Sequence, residues 1–317
     1  MNRPRGLSLV ELLVAATLML IAFAGALTLL ARSQGAYRTS EGQARLQETA
    51  RAALDLLTAE LRLAGHLGLA PPGTPVDGAQ PLGTPEPPAL AVAGSCGHSL
   101  ALDLDLPLSA ADGRYGIGVT FTPGCAPTPS GRAVAGADTL LVRHAAGDAV
   151  APAAGRLQLE STRRRARLVA DGSGGPAPAH RLSNLQVSLY YVSADSTGAT
   201  GQPTLRRKRL VGGTRPAFED EELIAGVADL QVEYGLAAET AAVAAPTRYV
   251  SPAELPAGAQ VSALRLWLLV RSDVPESQLI DLPPLDYANR SWPAERSRYR
   301  RALATRSVAL RNGAVQP

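Results

Sequence analysis

The strongest pattern in the chain is a break in hydrophobicity close to its start. Residues 1–6, Met-Asn-Arg-Pro-Arg-Gly, are short, polar and basic; from Leu7 to Ala31 the chain is apolar apart from Ser8, Glu11, Thr17 and Thr28. No charge falls between Leu12 and Ala31. A stretch of about 20 such residues makes roughly 30 Å of helix, enough to cross a hydrocarbon core. Arg3 and Arg5 precede it and Arg32 follows, so the positive-inside rule places the first six residues in the cytoplasm and the rest on the far side. The helical pattern then continues in amphipathic form. Leu46, Ala50, Leu54, Leu57 and Leu61 recur at helical spacing, with Arg45, Glu48, Arg51, Asp55, Glu60 and Arg62 between them. Gly65, Gly68 and Pro71-Pro72 supply the stop. The pattern predicts one helix from about Leu7 to Ala64, its first half in a membrane and its second half packed on a head domain.

Beyond a Pro- and Gly-dense loop at 71–88, the period shortens to that of strands. Apolar or alternating runs at Leu100–Leu106, Tyr115–Phe121, Thr139–Val142, Arg156–Leu159, Arg167–Val169, Leu185–Val192, Val227–Tyr234, Val261–Val270 and Thr305–Leu310 read as strands. Their density, with turns between, predicts antiparallel sheets rather than βαβ units. Segments 172–178 and 237–246 read as small-residue loops. The expected fold class is therefore α+β, a long N-terminal helix packed on a mainly antiparallel β head.

Composition changes this picture little. A net charge of +3 is too small to imply a nucleic-acid partner, and the cations are arginines except for Lys208. Two cysteines make neither a structural zinc site nor a disulfide-dense scaffold. The informative charge is Glu11, at the start of the apolar run. A secretory signal peptide, with Ala22-Phe23-Ala24 as its cleavage site, sits badly with a carboxylate there. A plain signal anchor leaves the carboxylate unexplained. An acid inside a membrane segment is otherwise a functional group with a partner.

A partner follows from a resemblance. Gly6-Leu7-Ser8-Leu9-Val10-Glu11-Leu12-Leu13-Val14-Ala15 resembles the class III signal of type IV pilins and pseudopilins. The resemblance implies that a prepilin peptidase cuts after Gly6 and methylates the new amine of Leu7, where the family usually has Phe. It also implies that Glu11, then fifth, pairs with the N-terminal amine of a neighbouring subunit. Opposite charges in a low-dielectric bundle lower each other's burial cost only when correctly staggered, so such a pair sets register. Leu61-Arg62-Leu63-Ala64-Gly65-His66, Leu189-Tyr190-Tyr191-Val192, Leu205-Arg206-Arg207, Leu223 to Gly235, Val261 to Arg271 and Val308 to Asn312 follow the order of PilW-type minor pilins. The resemblance divides the chain into a leader (1–6), a transmembrane and filament-core helix (7–31), a periplasmic half-helix (32–66) and a β-rich head (67–317). It implies a minor pilin of the inner membrane, with other minor and major pilins, prepilin peptidase and the inner-membrane assembly platform as partners. A GspJ-like pseudopilin of a type II secretion system and a DNA-uptake or adhesion module are the alternatives.

The remaining chemistry is sparse. His66, His98, His144 and His180 lack metal-ligand spacing, no serine sits in a nucleophile elbow, and neither an enzyme nor a cofactor is expected. On this topology Cys96 and Cys125 lie in an oxidising compartment, where a disulfide between them is expected and two free buried thiols are the alternative. Asp103 and Asp105 alternate on one expected strand, its wet face or part of a calcium site. Glu219-Asp220-Glu221-Glu222 reads as a solvated loop. Arg163–Arg165 with Arg167, Arg206–Arg209, and Arg296, Arg298, Arg300 and Arg301 form three basic clusters, read as solvated strand faces or as DNA contacts.

Overall fold

A computed structural model describes residues 8–94, 96–117, 121–174, 179–237 and 246–312. Gly6 and Leu7 lie outside the described residues, as do 118–120, 175–178 and 238–245 of the expected strand and loops. The chain divides into two compact units, Met1–Arg45 and Leu46–Pro317. One helix, α1 (Leu9–Leu61), supplies residues to both.

In the second unit α1 buries the stripe that the sequence spacing marks. Leu46, Ala50, Ala53, Leu54, Leu57 and Leu61 are all at most 5% exposed, each leucine contributing about 1.5–3 kcal/mol by leaving water. The helix ends where Gly65 takes φ +73, a left-handed value that costs glycine nothing. The carbonyls of the turn that follows it find a donor 248 and 249 residues away: Asn312 Nδ2 lies 3.0 Å from the carbonyl oxygen of Ala64 and 3.3 Å from that of Leu63.

Among the described residues sixteen strands follow. β1 (Val76–Asp77), β2 (Leu108–Ala111), β3 (Thr139–Ala145), β4 (Ala154–Ser161), β5 (Ala166–Asp171), β6 (Arg181–Ser193), β7 (Thr204–Val211) and β8 (Ala217–Ala225) make an eight-stranded sheet. β9 (Val227–Leu236), β10 (Arg248–Val250), β11 (Val261–Arg271) and β16 (Arg301–Ala309) make a four-stranded sheet in the order β10-β9-β11-β16. Between β11 and β16 runs an arm of two small ladders, β12 (Ile280–Leu282) with β15 (Glu295–Ser297) and β13 (Leu285–Tyr287) with β14 (Arg290–Trp292). All named pairs are antiparallel except β1 with β5.

The central strands β3 and β6 are buried on both faces, so they read as continuous apolar runs. Leu140, Val142, Tyr190 and Val192 join a core with the α1 stripe and with Leu230, Val232, Leu264, Leu266 and Leu268 of the four-stranded sheet. Leu141, Ala145, Leu185, Val187 and Leu189 point the other way, into a second core. That core is closed by the segment 67–104, among them Leu90, Val92, Leu100 and Leu102, and by the Cys96–Cys125 disulfide, whose Cα atoms are 5.0 Å apart.

Two expectations fail here. Leu100–Leu106 is not a strand but a buried run of turns and irregular chain, and the nearest strand is β2. Its backbone polar groups are met by turn bonds, such as those of the Leu102 and Asp103 N–H groups to the Ser99 carbonyl, by the Gln80 N–H on the Leu102 carbonyl, and by side chains. Arg143 Nε donates to the Leu100 carbonyl at 2.7 Å and Nη1 to that of Leu106, while Asp103 accepts the N–H groups of Leu82 and Leu106. The described part of Tyr115–Phe121 is likewise irregular.

Candidate functional site

The first unit presents its apolar side chains rather than burying them. Leu9, Leu13, Leu18, Met19, Ile21, Phe23 and Leu30 are 55–74% exposed within the chain. Among the described residues α1 is the one helix long and apolar enough to cross a membrane, and none of its apolar stretch is buried inside the chain. The polar groups in that stretch are handled locally. Thr17 and Thr28 hydroxyls donate to the carbonyls of Val14 and Gly25, at 2.9 and 2.7 Å. The one ionisable side chain from Ser8 to Ala31 is Glu11.

Glu11 sits on the third helical residue and reaches back: its Oε2 accepts the Ser8 N–H at 2.9 Å. This is half of a capping box, with the helix N-terminus favouring the carboxylate's charge. Sequence reasoning singled out Glu11 but missed Ser8, although Ser8-Leu9-Val10-Glu11 spells the Ser-x-x-Glu signature before an apolar run.

In the second unit many of the charged residues are paired off. The acid run Glu219–Glu222 is not a solvated loop but part of β8, and it lies register by register against the basic cluster on β7. Arg206, Arg207, Lys208 and Arg209 face Glu222, Glu221, Asp220 and Glu219. Lys208 Nζ lies 2.8 Å from Asp220 Oδ2, Arg206 Nε 2.7 Å from Asp220 Oδ1, and Arg206 Nη1 2.9 Å from Glu222 Oε2. The Tyr191 hydroxyl donates to Asp220 at 2.7 Å. Burial pushes the Asp220 carboxyl up, but the hydrogen bonds from Lys208, Tyr191 and Arg206 hold it below the usual range. Arg206 and Lys208 are about 5% exposed, so that half of the cluster expected to be solvated is buried, while Arg207 and Arg209 stay partly exposed.

The other expected sites separate in space. Asp103 is buried and Asp105 exposed, so the two carboxylates do not share a face. Among the described residues no group of three or more His, Cys, Asp or Glu is placed to hold a metal ion. Arg296 pairs with Asp281, Arg300 with Glu276 and Arg301 with Glu295. The hairpin tip Arg163–Arg165 is exposed and has no acid partner among the described residues. Burial, with the His144 and Arg181 charges beside it, holds the His66 imidazole below its usual range, and His180 lies 3.4 Å from Glu160.

His144 instead ties the helix to the sheet. Its Nε2 lies 3.3 Å from Glu60 Oε2 on α1, and its Nδ1 lies 2.9 Å from the Ala145 carbonyl oxygen. Burial alone would raise the Glu60 carboxyl, but the His144 hydrogen bond and the His144 and Arg207 charges hold it below the ordinary range. Neither this contact nor its role had a signal in the sequence, because its members lie 84 residues apart.

Comparison with known families bears on the N-terminus and on the head. The family model for type IV pilus-assembly protein W matches residues 189–312, and that for the prokaryotic N-terminal methylation motif matches residues 1–27. The chain matches a PilW-type, pilin-like protein. No curated protein and no solved structure matches it. The family is a structural component of the type IV pilus, and the first match covers the strands from within β6 through β16 together with the capping Asn312. A methylation motif leading into an apolar helix fits a membrane-anchored, pilus-related pilin. The Cys96–Cys125 disulfide in its head is of the kind stable in an oxidising compartment.

Proposed function

We propose that this pilin-like chain is a minor pilin that acts in the initiation or at the tip of a type IV pilus. It is made with a leader of residues 1–6, cut by prepilin peptidase after Gly6 and N-methylated on Leu7. Residues 7–31 anchor it in the inner membrane and later pass into the filament core, 32–66 form the periplasmic half of the helix, and 67–317 form the periplasmic head. Glu11 pairs with the N-terminal amine of a neighbouring pilin, and the assembly platform extracts the pair into the growing filament.

The observation that carries this reading is the lone carboxylate on an otherwise apolar, unburied helix stretch, within a matched methylation motif. A bare anchor gains nothing from that charge, whereas a register device needs one. The match over 189–312 favours a pilus over a type II secretion system.

Intact mass and N-terminal sequencing of the protein from its native membranes test the processing step. An N-methyl-Leu7 start is the expected result; a start at Gly25, after Ala24, would end the filament reading. Glu11→Leu tests the assembly step: the variant is expected to be processed and membrane-bound as before but absent from sheared pili. Normal incorporation of that variant would remove Glu11 from assembly.

A further inference from the structure

Residues 272–300, between β11 and β16, form one bent hairpin arm that doubles back on its own sheet. The Ser272 N–H donates to the Arg300 carbonyl and the Glu276 N–H to that of Arg298, and the β12–β15 and β13–β14 ladders continue the pairing. Ladders this short are marginal on their own. The arm also buries little: Val274 and Leu279 are 63% and 50% exposed, and of residues 272–300 only Tyr287 is buried. Its attachment therefore rests on the tip.

The tip is docked largely by polar contacts. The Tyr287 hydroxyl donates to Asp229 Oδ2 at 2.6 Å and accepts the Trp292 indole N–H at 2.8 Å. Asn289 Nδ2 donates to both carboxylate oxygens of Asp112, at 2.8 and 2.9 Å. Arg290 Nη2 donates to the Ala135 carbonyl at 2.8 Å, and its Nε lies 3.5 Å from Asp229 Oδ2. Leu269, opposite Asp229 in the β9–β11 ladder, is 1% exposed yet belongs to neither core. Alternation along β11 puts it on the face of Trp267, whose ring lies 6.1 Å from that of Tyr287, so the tip is its cover.

Three acids meet under this cover. Asp229 and Asp138 are buried, and Asp138 accepts the N–H of Gly113, the residue after Asp112. Among the described residues Arg290 is the one cation in contact with them, while Arg114 is exposed and lines an open cleft with Asp112. Burial pushes the hydroxyls of Tyr287 and of Tyr234, beside Asp138, far above their usual range, so both stay neutral. At the margins Glu233 pairs with Arg265 and Glu295 with Arg301. Three carboxylates against one guanidinium repel one another strongly in a dry site unless a proton is kept.

We propose that the arm is a proton-linked strap: a proton held within the Asp112, Asp138 and Asp229 cluster keeps the tip down on the outer face of the four-stranded sheet, and its release as pH rises lets the tip lift. Lifting bares Leu269, Trp267 and Asp229. The direction follows from the acids. Burial, with the charges of Asp112 and Asp229, pushes Asp138 up to about 7, and burial raises Asp229. A carboxyl raised in the docked state gives up its proton once water reaches it. Docking is therefore strongest below about 4, weakens as pH rises to about 7 and changes no further above.

Both tryptophans of the chain, Trp267 and Trp292, sit at this tip, so their accessibility reports on it. The full chain, purified in detergent, is titrated from pH 5 to 8 below its melting temperature, with acrylamide quenching of tryptophan emission. The expected result is a rise in quenching of about twofold or more, with an unchanged far-ultraviolet circular dichroism spectrum. Asp229→Asn, which is neutral and still accepts from Tyr287, is expected to keep the tryptophans shielded at pH 8. Arg290→Gln removes the cation and is expected to bare them at a lower pH than in the unaltered chain.

Quenching that stays flat from pH 5 to 8 overturns the proposal, as does an Asp229→Asn profile that matches the unaltered one. A rise that coincides with loss of the β-sheet signal assigns the pH dependence to unfolding of the head and overturns the strap. If Asp229→Asn fails to fold, Arg290→Gln decides, and an unmoved profile in that variant overturns the proposal.

Discussion

Asp138 is the residue where burial and charge are most at odds. It is 1% exposed, and its carboxyl accepts the N–H groups of Gly113 at 2.7 Å and Val232 at 2.8 Å. Burial pushes it up to about 7 against the pull of those two N–H groups, and the Asp112 and Asp229 charges push the same way. Asp229 is itself raised by burial, although Tyr287, Gln231 and Arg290 hold it down in part. Arg290 reaches it by lying over Gly136, where a Cβ would fall 1.4 Å from Arg290 Nη1 and φ is +80. An acid whose folded value is raised keeps a proton that the unfolded chain releases, so stability falls as pH rises from about 4 to about 7 and stays low above. The depressed groups act oppositely and lower: Asp195, held near 2 by Gly201, Ser130 and Arg132, stabilises above about 4 and loses that contribution as pH falls toward 2. Asp138→Asn mimics the protonated acid. Its expected effect is to flatten the decline in melting temperature between pH 5 and 8, while the amide, with one acceptor oxygen for two N–H groups, lowers the melting temperature at pH 5. Thermal melts of both proteins across that range check it, and an unchanged slope in the variant would place the proton elsewhere.

At the scale of elements, the legible parts were those whose signal is local. The α1 stripe, the Gly65 stop and the apolar strands β3, β6, β9 and β11 follow from periodicity alone, because each buries its own pattern. The β7–β8 hairpin did not, because strands rich in Arg and Glu have poor strand propensity and are stabilised only by each other. A signal was nevertheless present. Four cations at 206–209 and four acids at 219–222 are mirror-related about Thr214, with Gly212-Gly213 beside the turn, which is the arrangement a hairpin needs. The Leu100–Leu106 run misled for the converse reason: it has the alternation of a strand, but its backbone groups bond within turns, to Gln80 and to the side chains of Arg143 and Asp103 rather than to a neighbouring strand. The ladder predicts an asymmetry between adjacent acids. Asp220→Asn leaves Lys208 and Arg206 buried with less counter-charge, and with Asp220 about one-eighth exposed the expected cost is about 2–4 kcal/mol. Glu219→Gln, at an exposed position with no ion pair among the described residues, is expected to stay within about 0.5 kcal/mol. Urea unfolding of the two variants at pH 7 measures both, and equal costs would show that the ladder contributes as surface charge only.

For the molecule as a whole, the two faces of the eight-stranded sheet are closed by different means. One face is covered by regular structure, the α1 stripe and the four-stranded sheet, whose backbone groups are satisfied within their own ladders. The other is covered by a segment that is largely irregular between Leu67 and Pro107, held by single contacts: Arg143 to two carbonyls, Asp103 to two N–H groups, Glu86 to the N–H groups of Val92 and Ser99, and the disulfide. A cover of this kind has few cooperative bonds, so its stability depends on the crosslink more than that of the first face does. A loop with its ends 29 residues apart in sequence gains about 3–4 kcal/mol from closure by the chain-entropy estimate. Replacing Cys96 and Cys125 by Ser together should therefore open the second core before the first. Amides of Leu100 and Leu102 are expected to lose protection by about 100-fold or more, while those of Leu264, Leu266 and Leu268 on β11 keep theirs. Trypsin should gain access to Arg114 and Arg132 before any site on α1 beyond Leu46. Simultaneous loss of protection on both faces would mean that the head unfolds as one unit, and that the disulfide stabilises the whole of it rather than its irregular cover.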